Sequence, residues 1–301
     1  MARIVCLGEA MVELSAKGDG WHVGFGGDTL NTAIHCARAG HAVSYMTALG
    51  EDAFSDRLRA AWAEEAIDTG LVLTHPSRQT GLYAITTDET GERSFTYWRD
   101  TSAARALFEL DAVDAAMAQA ETAELLCFSL ISVAILPPQG RQDLLRLAER
   151  VRGRGGRVAF DGNYRPRLWE SREAAIRMRD KAIACADIGL PTFEDEAALS
   201  GSGSPLEVAA HWRGLGCDEV IVKLGADGCL LPGGEGCPVP QTLRPVDTSG
   251  AGDAFNGGYL AARMNGVPVR EAALAGHALA GWTVMRRGAI PARDKAAPYA
   301  G

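Results

Sequence analysis

No stretch of this 301-residue chain approaches about 18 uncharged apolar residues, so the sequence offers no membrane-spanning helix. Positive charge is in deficit. Thirty Lys and Arg face 38 Asp and Glu, a net charge of −8 that argues against a nucleic-acid or anionic-membrane partner. There is no Cys-x-x-Cys pair. The seven cysteines, at 6, 36, 127, 185, 217, 229 and 237, are scattered and odd in number. They fit buried small hydrophobes in a reducing cytosol better than a disulfide framework or a zinc site. The six histidines show no His-Glu-x-x-His spacing, and His35 and His277 fall within helical patterns as packing or surface residues. Neither Gly-x-x-x-x-Gly-Lys before Ser or Thr, nor Gly-x-Gly-x-x-Gly after the first strand, is present, which argues against P-loop and dinucleotide-binding readings. Met1-Ala2-Arg3 leads directly to an apolar strand and then Gly8-Glu9, too short and too soon acidic for a signal peptide, so a cytoplasmic location is expected.

What is present is alternation. Ile4–Leu7, Val43–Leu49, Leu125–Ser129, Arg157–Asp161, Ile188–Pro191 and Glu219–Leu224 read as buried strands. Helical patterns separate them, near Thr29–Arg38, Phe54–Glu65, Arg141–Arg152, Ala174–Ala186 and Pro205–Gly214. Two more, Asp253–Met264 and Val269–Arg286, close the chain. With 47% hydrophobic residues this predicts one α/β domain over 1–301, a doubly wound, mostly parallel sheet covered on both faces. Residues 80–99 break the pattern. Strand runs Thr80–Thr87 and Glu92–Arg99 flank Asp88-Glu89-Thr90-Gly91 and predict a β-hairpin. Such an insertion cannot bury both faces on the main sheet, so a small β lid is expected from about 10–25 and 80–99. Gly201-Ser202-Gly203-Ser204-Pro205 reads as a connector. Arg152-Gly153-Arg154-Gly155-Gly156-Arg157 reads as a helix end before a strand rather than a phosphate patch.

Two glycine motifs carry chemistry. Asp247-Thr248-Ser249-Gly250-Ala251-Gly252-Asp253 opens a predicted helix. The amides of Gly250, Ala251 and Gly252 then lie at a helix N-terminus, suited to an anion. The Asp253 carboxylate beside that pocket suits a general base that takes a proton from an alcohol during phosphoryl transfer. Near the N-terminus, Gly26-Gly27-Asp28-Thr29-Leu30-Asn31 also precedes a helix. Its paired glycines allow close backbone approach, and Asn31 can donate to and accept from sugar hydroxyls. On the lid, alternation puts Phe95, Tyr97 and Arg99 on one face, with Tyr83 and Ile85 sharing a face of the partner strand. An arginine there suits a carboxylate, which its fork binds bidentately. A rim salt bridge from Arg99 to Asp100 or Glu92 is the alternative.

Together these motifs resemble the ribokinase-like (PfkB) carbohydrate kinases, whose Asp-Thr-x-Gly-Ala-Gly-Asp is matched at every fixed position. The similarity runs from Gly8-Glu9 to about Pro291. Thr80-Gly81-Leu82-Tyr83, the run Asp88 to Arg99 and Phe160-Asp161-Gly162-Asn163-Tyr164-Arg165-Pro166-Arg167-Leu168-Trp169 are similar to the 2-keto-3-deoxygluconate kinases within it. The resemblance implies that Gly26, Gly27, Asn31, Tyr83, Tyr97, Arg99 and Arg165 meet a sugar acid. It implies that Asn163 and Arg165 border the phosphates, and that Lys223, Gly225, Gly228, Gly250 and Gly252 line the ATP site. The family's Asn-x-x-Glu is replaced by Thr192 and Asp195, which leaves Asp195 or Glu196 to hold Mg²⁺ through water. A monovalent cation such as K⁺ and a homo-oligomer contact through the lid also come with the resemblance. The reading is ATP-dependent phosphorylation of 2-keto-3-deoxygluconate. Its rivals are a kinase for a neutral sugar such as fructose or ribose, a kinase for a related ketodeoxy acid, and a non-catalytic sugar-acid sensor on the same fold.

Overall fold

The computed structural model describes residues 3–87 and 93–299. The strands are β1 (Arg3–Leu7), β2 (Met11–Lys17), β3 (Gly20–Gly26), β4 (Ala42–Leu49), β5 (Ile67–Asp68), β6 (Val72–Thr74), β7 (Gly81–Thr87) and β8 (Arg93–Trp98). Then come β9 (Leu125–Ser129), β10 (Arg157–Asp161), β11 (Ile188–Gly189), β12 (Glu219–Val220), β13 (Val222–Lys223), β14 (Cys229–Leu230) and β15 (Gly236–Cys237). The helices are α1 (Asp28–Arg38), α2 (Ala53–Glu64), α3 (Val113–Ala120), α4 (Leu130–Ile135) and α5 (Pro138–Gly153). They continue with α6 (Arg172–Ala184), α7 (Phe193–Ser200), α8 (Pro205–Gly214), α9 (Ala251–Met264) and α10 (Val269–Val284).

The main sheet runs β12-β11-β10-β9-β1-β4-β5, with β6 also on β4, and every pairing in it is parallel. Strand alternation sends Val5, Leu7, Leu126, Phe128, Val158 and Phe160 to one face, against α5, α6 and α8. Ile4, Cys6, Leu125, Cys127 and Ala159 go to the other, against α1, α9 and α10. A parallel strand buried on both sides therefore reads as a continuous apolar run. Each fully buried Val, Leu or Ile contributes about 1.5–3 kcal/mol, so the two layers hold the site from opposite sides. Helix starts follow local chemistry. Ser204 caps α8 through the Glu207 amide with Pro205 as first helical residue. Ser129 and Ser132 form a capping box at α4, at the end of β9.

The lid is a separate four-stranded sheet, β3-β2-β7-β8. Its register sets Tyr83 opposite Tyr97 and Ile85 opposite Phe95, as alternation predicts. The turn expected at 88–91 lies outside the described residues. The expected run Glu219–Leu224 stays beside β11 and its continuation, with the Ile221 and Lys223 amides donating to the Gly189 and Pro191 carbonyls and Lys223 bridging Thr192 in parallel. Val222–Lys223 also pairs antiparallel with β14, which returns to it through a 3₁₀ turn at Gly225–Asp227. The Arg152–Arg157 segment is a helix end and strand start, and its arginines sit in ion pairs with Asp187, Glu121 and Glu219. All seven cysteines are free and buried. Among the described residues no helix is long and apolar enough to cross a membrane.

Candidate active site

Chain order reverses between β1 and β9, since β1 leads to β4 on one side and β9 to β10 on the other. Open parallel sheets bind ligands beyond the strand C-termini at such a point. Here those ends carry Gly8-Glu9, Ser129 and Asp161-Gly162-Asn163. The starts of α1 and α9 meet over them.

At α9, Gly250 is the N-cap with φ of +69°, and a Cβ there would lie 2.5 Å from the Ala289 Cβ. Only glycine fits that left-handed, crowded position. Asp253 follows in the first turn, partly buried. Its carboxylate accepts a 2.7 Å hydrogen bond from Asn31 Nδ2 on α1. Burial first, then the nearby Asp28 carboxylate, pushes the Asp253 carboxyl up to about 8. Asn31 keeps its Oδ1 buried and unpartnered. Asp28 is itself raised, chiefly by burial, and accepts from Asn163 Nδ2 at 3.0 Å. The first-turn amides of α9 have no intrahelical acceptor, although Ala251 N–H makes a 3.3 Å turn bond to the Thr248 carbonyl.

Lys223 ends β13 and is buried. Its Nζ donates to Asp161 Oδ1 and Asn256 Oδ1, both at 3.2 Å. Asn256 in turn donates to Asp161 Oδ2 at 2.7 Å. Nζ lies 3.7 Å from where a Gly252 side chain would begin, so the cation borders the α9 start. Gly225 and Gly228 bracket the turn that follows it.

The lid meets this floor at Gly26 and Gly27. A Cβ on Gly26 would strike Tyr83 Oη at 2.4 Å, and one on Gly27 the Glu9 carbonyl at 2.3 Å. Tyr83 donates a short hydrogen bond to Glu13, its ring 5.8 Å from that of Tyr97. Arg99 is buried and, among the described residues, does not pair with Asp100; Glu92 lies outside them. It forms an ion pair with the buried Glu9. Arg99 Nε and Glu9 Oε1 remain buried without partners.

Arg165 stands apart from Arg99. It is half-exposed and lies 3.4 Å from Asp195, so the structure groups it with the expected magnesium residue. Burial raises Asp195, with Arg165 opposing. Glu196, the other candidate, is committed to a buried ion pair with Arg179. Five residues of the site were not anticipated: Glu9, Glu13, Asp28, Asp161 and Asn256. Position was the available signal. Glu9 and Asp161 end parallel strands, and Asn256 stands three residues after Asp253, on a neighbouring face of α9.

Residues 1–296 match the model of the pfkB family carbohydrate kinases. The chain belongs to that family. This kinase is 43% identical to the 2-dehydro-3-deoxygluconokinase of Escherichia coli (strain K12), over 97% of its own length and 98% of that protein. Its fold is similar to that of a PfkB protein from Polaromonas sp. JS666 (TM-score 0.80, 29% identity, 93% of this chain and 94% of that one). It is also similar to aminoimidazole riboside kinase from Salmonella enterica complexed with aminoimidazole riboside and an ATP analog (TM-score 0.81, 26% identity, 96% and 95%). The ribokinase-like fold is thus established, as is a small lid sheet beside the large parallel one.

Proposed function

We propose that this kinase transfers the γ-phosphoryl group of ATP to the terminal hydroxyl of 2-keto-3-deoxygluconate, giving 2-keto-3-deoxy-6-phosphogluconate. The observation that carries phosphoryl transfer is Asp253, partly buried, oriented by Asn31 and set in the first turn of α9. The sugar hydroxyl oxygen attacks the γ-phosphorus while its proton passes to Asp253, and the bond to the leaving ADP oxygen breaks. Amides at the Gly250–Gly252 turn and the Lys223 ammonium carry the charge that develops on phosphate oxygens. Identity of 43% to a 2-dehydro-3-deoxygluconokinase over nearly the whole chain supports the acid substrate, as does the buried Arg99 with a spare N–H.

Mg²⁺ fits as a hydrated ion beside Asp195. Both donors to that carboxylate stand at 3.4 Å, which leaves its lone pairs available. No three carboxylates among the described residues converge tightly enough for an all-protein cage, and Mg²⁺ prefers waters, phosphates and one or two carboxylates. Held beside Asp195, it would neutralise negative charge on the phosphates. Excess EDTA should therefore abolish turnover and added Mg²⁺ restore it. Full activity in EDTA removes phosphoryl transfer through a divalent ion.

The substrate is tested by ADP release across ketodeoxy acids, ribose, fructose and adenosine. The highest kcat/KM is expected for a ketodeoxy acid, and a preference for ribose or fructose overturns the assignment. Lid closure should follow the sugar, because Tyr83, Tyr97 and Arg99 belong to the hairpin and Asp253 does not. Sugar should slow amide exchange in 81–87 and 93–98, and ATP alone much less. Equal protection by ATP alone means the hairpin is no sugar lid. The lid face opposite Tyr83 carries Leu14, Leu82 and the exposed Trp98, which with Phe54 line a groove of about 950 Å³. That apolar surface supports a homo-oligomer through the lid, which light scattering at micromolar concentration would detect, and a strictly monomeric species would exclude.

A further inference from the structure

Three soft-metal ligands converge outside the residues assigned to phosphoryl transfer. Cys229 and Cys237 are direct partners across the antiparallel β14–β15 pair, so their side chains leave the ribbon on one face. His277, on α10, brings Nε2 to 3.5 Å from Cys229 Sγ and 3.1 Å from the Cys237 carbonyl oxygen. The ligand atoms of all three residues lie within 4.8 Å of one another, and all three residues are buried. Tetrahedral Zn²⁺, with Zn–S near 2.3 Å and Zn–N near 2.0–2.1 Å, has ligand-to-ligand edges of about 3.5–3.8 Å. The Cys229–His277 edge has that length already. The remaining edges need to close by at most about 1.3 Å.

We propose that Cys229, Cys237 and His277 bind a single Zn²⁺. Charge favours this ion over other classes. A buried site disfavours net charge, and two thiolates, one neutral imidazole and a divalent ion sum to zero. Thiolate sulfur excludes Mg²⁺ and Ca²⁺, and a monovalent soft ion would leave the site negative. The His277 imidazole binds a metal in its neutral form. Cysteine binds zinc as the thiolate. Binding therefore releases two thiol protons together with waters of the entering ion. If Nε2 carries the imidazole proton in the hydrogen bond to the Cys237 carbonyl, that proton moves to Nδ1. The fourth position falls to water or to that carbonyl. Such an ion joins the hairpin that begins directly after Gly228 to α10, where the His277 ring packs 5.0 Å from Phe255.

The probe is Co²⁺, then Zn²⁺, added to the purified full-length protein under reducing conditions. Expected is thiolate-to-cobalt charge-transfer absorption that saturates at one equivalent and is displaced by Zn²⁺. Cys229→Ser and Cys237→Ser should each weaken binding about 100-fold or more, while Cys217→Ser leaves it unchanged. Should the serine variants not fold, X-ray absorption at the zinc edge of the loaded wild type decides independently of them. Two sulfur ligands near 2.3 Å support the site, and a shell of only oxygen and nitrogen overturns it. Absence of saturable cobalt–thiolate absorption overturns it equally, and leaves His277 as a donor to the Cys237 carbonyl among buried thiols.

Discussion

Asp253→Asn is expected to lower kcat by roughly 10²–10⁴, the usual worth of a positioned general base, while the fold and ATP affinity are kept. The exchange is nearly isosteric, and the new amide oxygen can still accept from Asn31 Nδ2. It removes the one atom that takes the proton. The Gly250–Gly252 turn and Lys223 stay, so residual catalysis from charge stabilisation survives. Steady-state kinetics with ATP-binding calorimetry separate the two effects. A variant that turns over at more than about a third of the wild-type rate takes Asp253 out of the base role and leaves the proton to another base.

The same residue predicts opposite pH trends in activity and stability. Free Asp253 titrates near 8, so the deprotonated base accumulates only as pH rises towards that value. In the free enzyme kcat/KM should rise from pH 6 to pH 8 and then level. For stability the sign reverses. The folded value stands above the usual 3.8, so the folded state holds the proton more tightly than the unfolded chain. Its contribution is complete below about 3.8 and is lost as pH climbs through about 8. Asp253→Asn escapes that loss. Its Tm relative to wild type should therefore climb between pH 4 and pH 8, and a flat difference would show that burial and Asp28 do not raise this carboxyl.

The parallel sheet was legible because strands buried on both faces are continuous apolar runs, and Leu125–Ser129 and Arg157–Asp161 match to the residue. The start of α9 was legible because Gly-Ala-Gly-Asp states its own backbone and chemistry locally. Short elements were not. Helix α4 has six residues, under two turns, and its capping box is built from two serines rather than a Ser–Glu pair. The strand run Glu219–Leu224 hid a second pairing, because nothing within it reveals that Cys229-Leu230 returns to pair with Val222-Lys223. Partners distant in sequence were likewise hidden. Arg99 invited pairing with a sequence neighbour such as Asp100, yet topology delivers Glu9 from the end of β1, ninety residues earlier. Cys229, Cys237 and His277 escaped any zinc spacing rule for the same reason, since the histidine comes from a helix whose packing brings it to the hairpin.

The Glu9 pair reshapes the test of the substrate carboxylate. If Arg99 also holds that carboxylate through its spare N–H, Arg99→Ala removes a charge-assisted contact of about 1.5–3 kcal/mol. That is a 10- to 150-fold loss in kcat/KM for the acid, at about tenfold per 1.4 kcal/mol. The substitution also leaves the Glu9 carboxylate buried without its cation, which destabilises the lid hinge for every substrate. The two effects separate in a cycle of two enzymes and two substrates. A neutral analogue lacking the carboxylate feels only the Glu9 part, so the excess loss on the acid measures the carboxylate contact. Glu9→Gln combined with Arg99→Ala should recover the shared loss and keep the excess. Arg99→Lys should recover part of the excess, since a point charge cannot reproduce the planar fork. Equal losses on both substrates would mean that Arg99 serves Glu9 alone. A wild-type preference for the neutral analogue would say the same, and either result returns this chain to a kinase of neutral sugars.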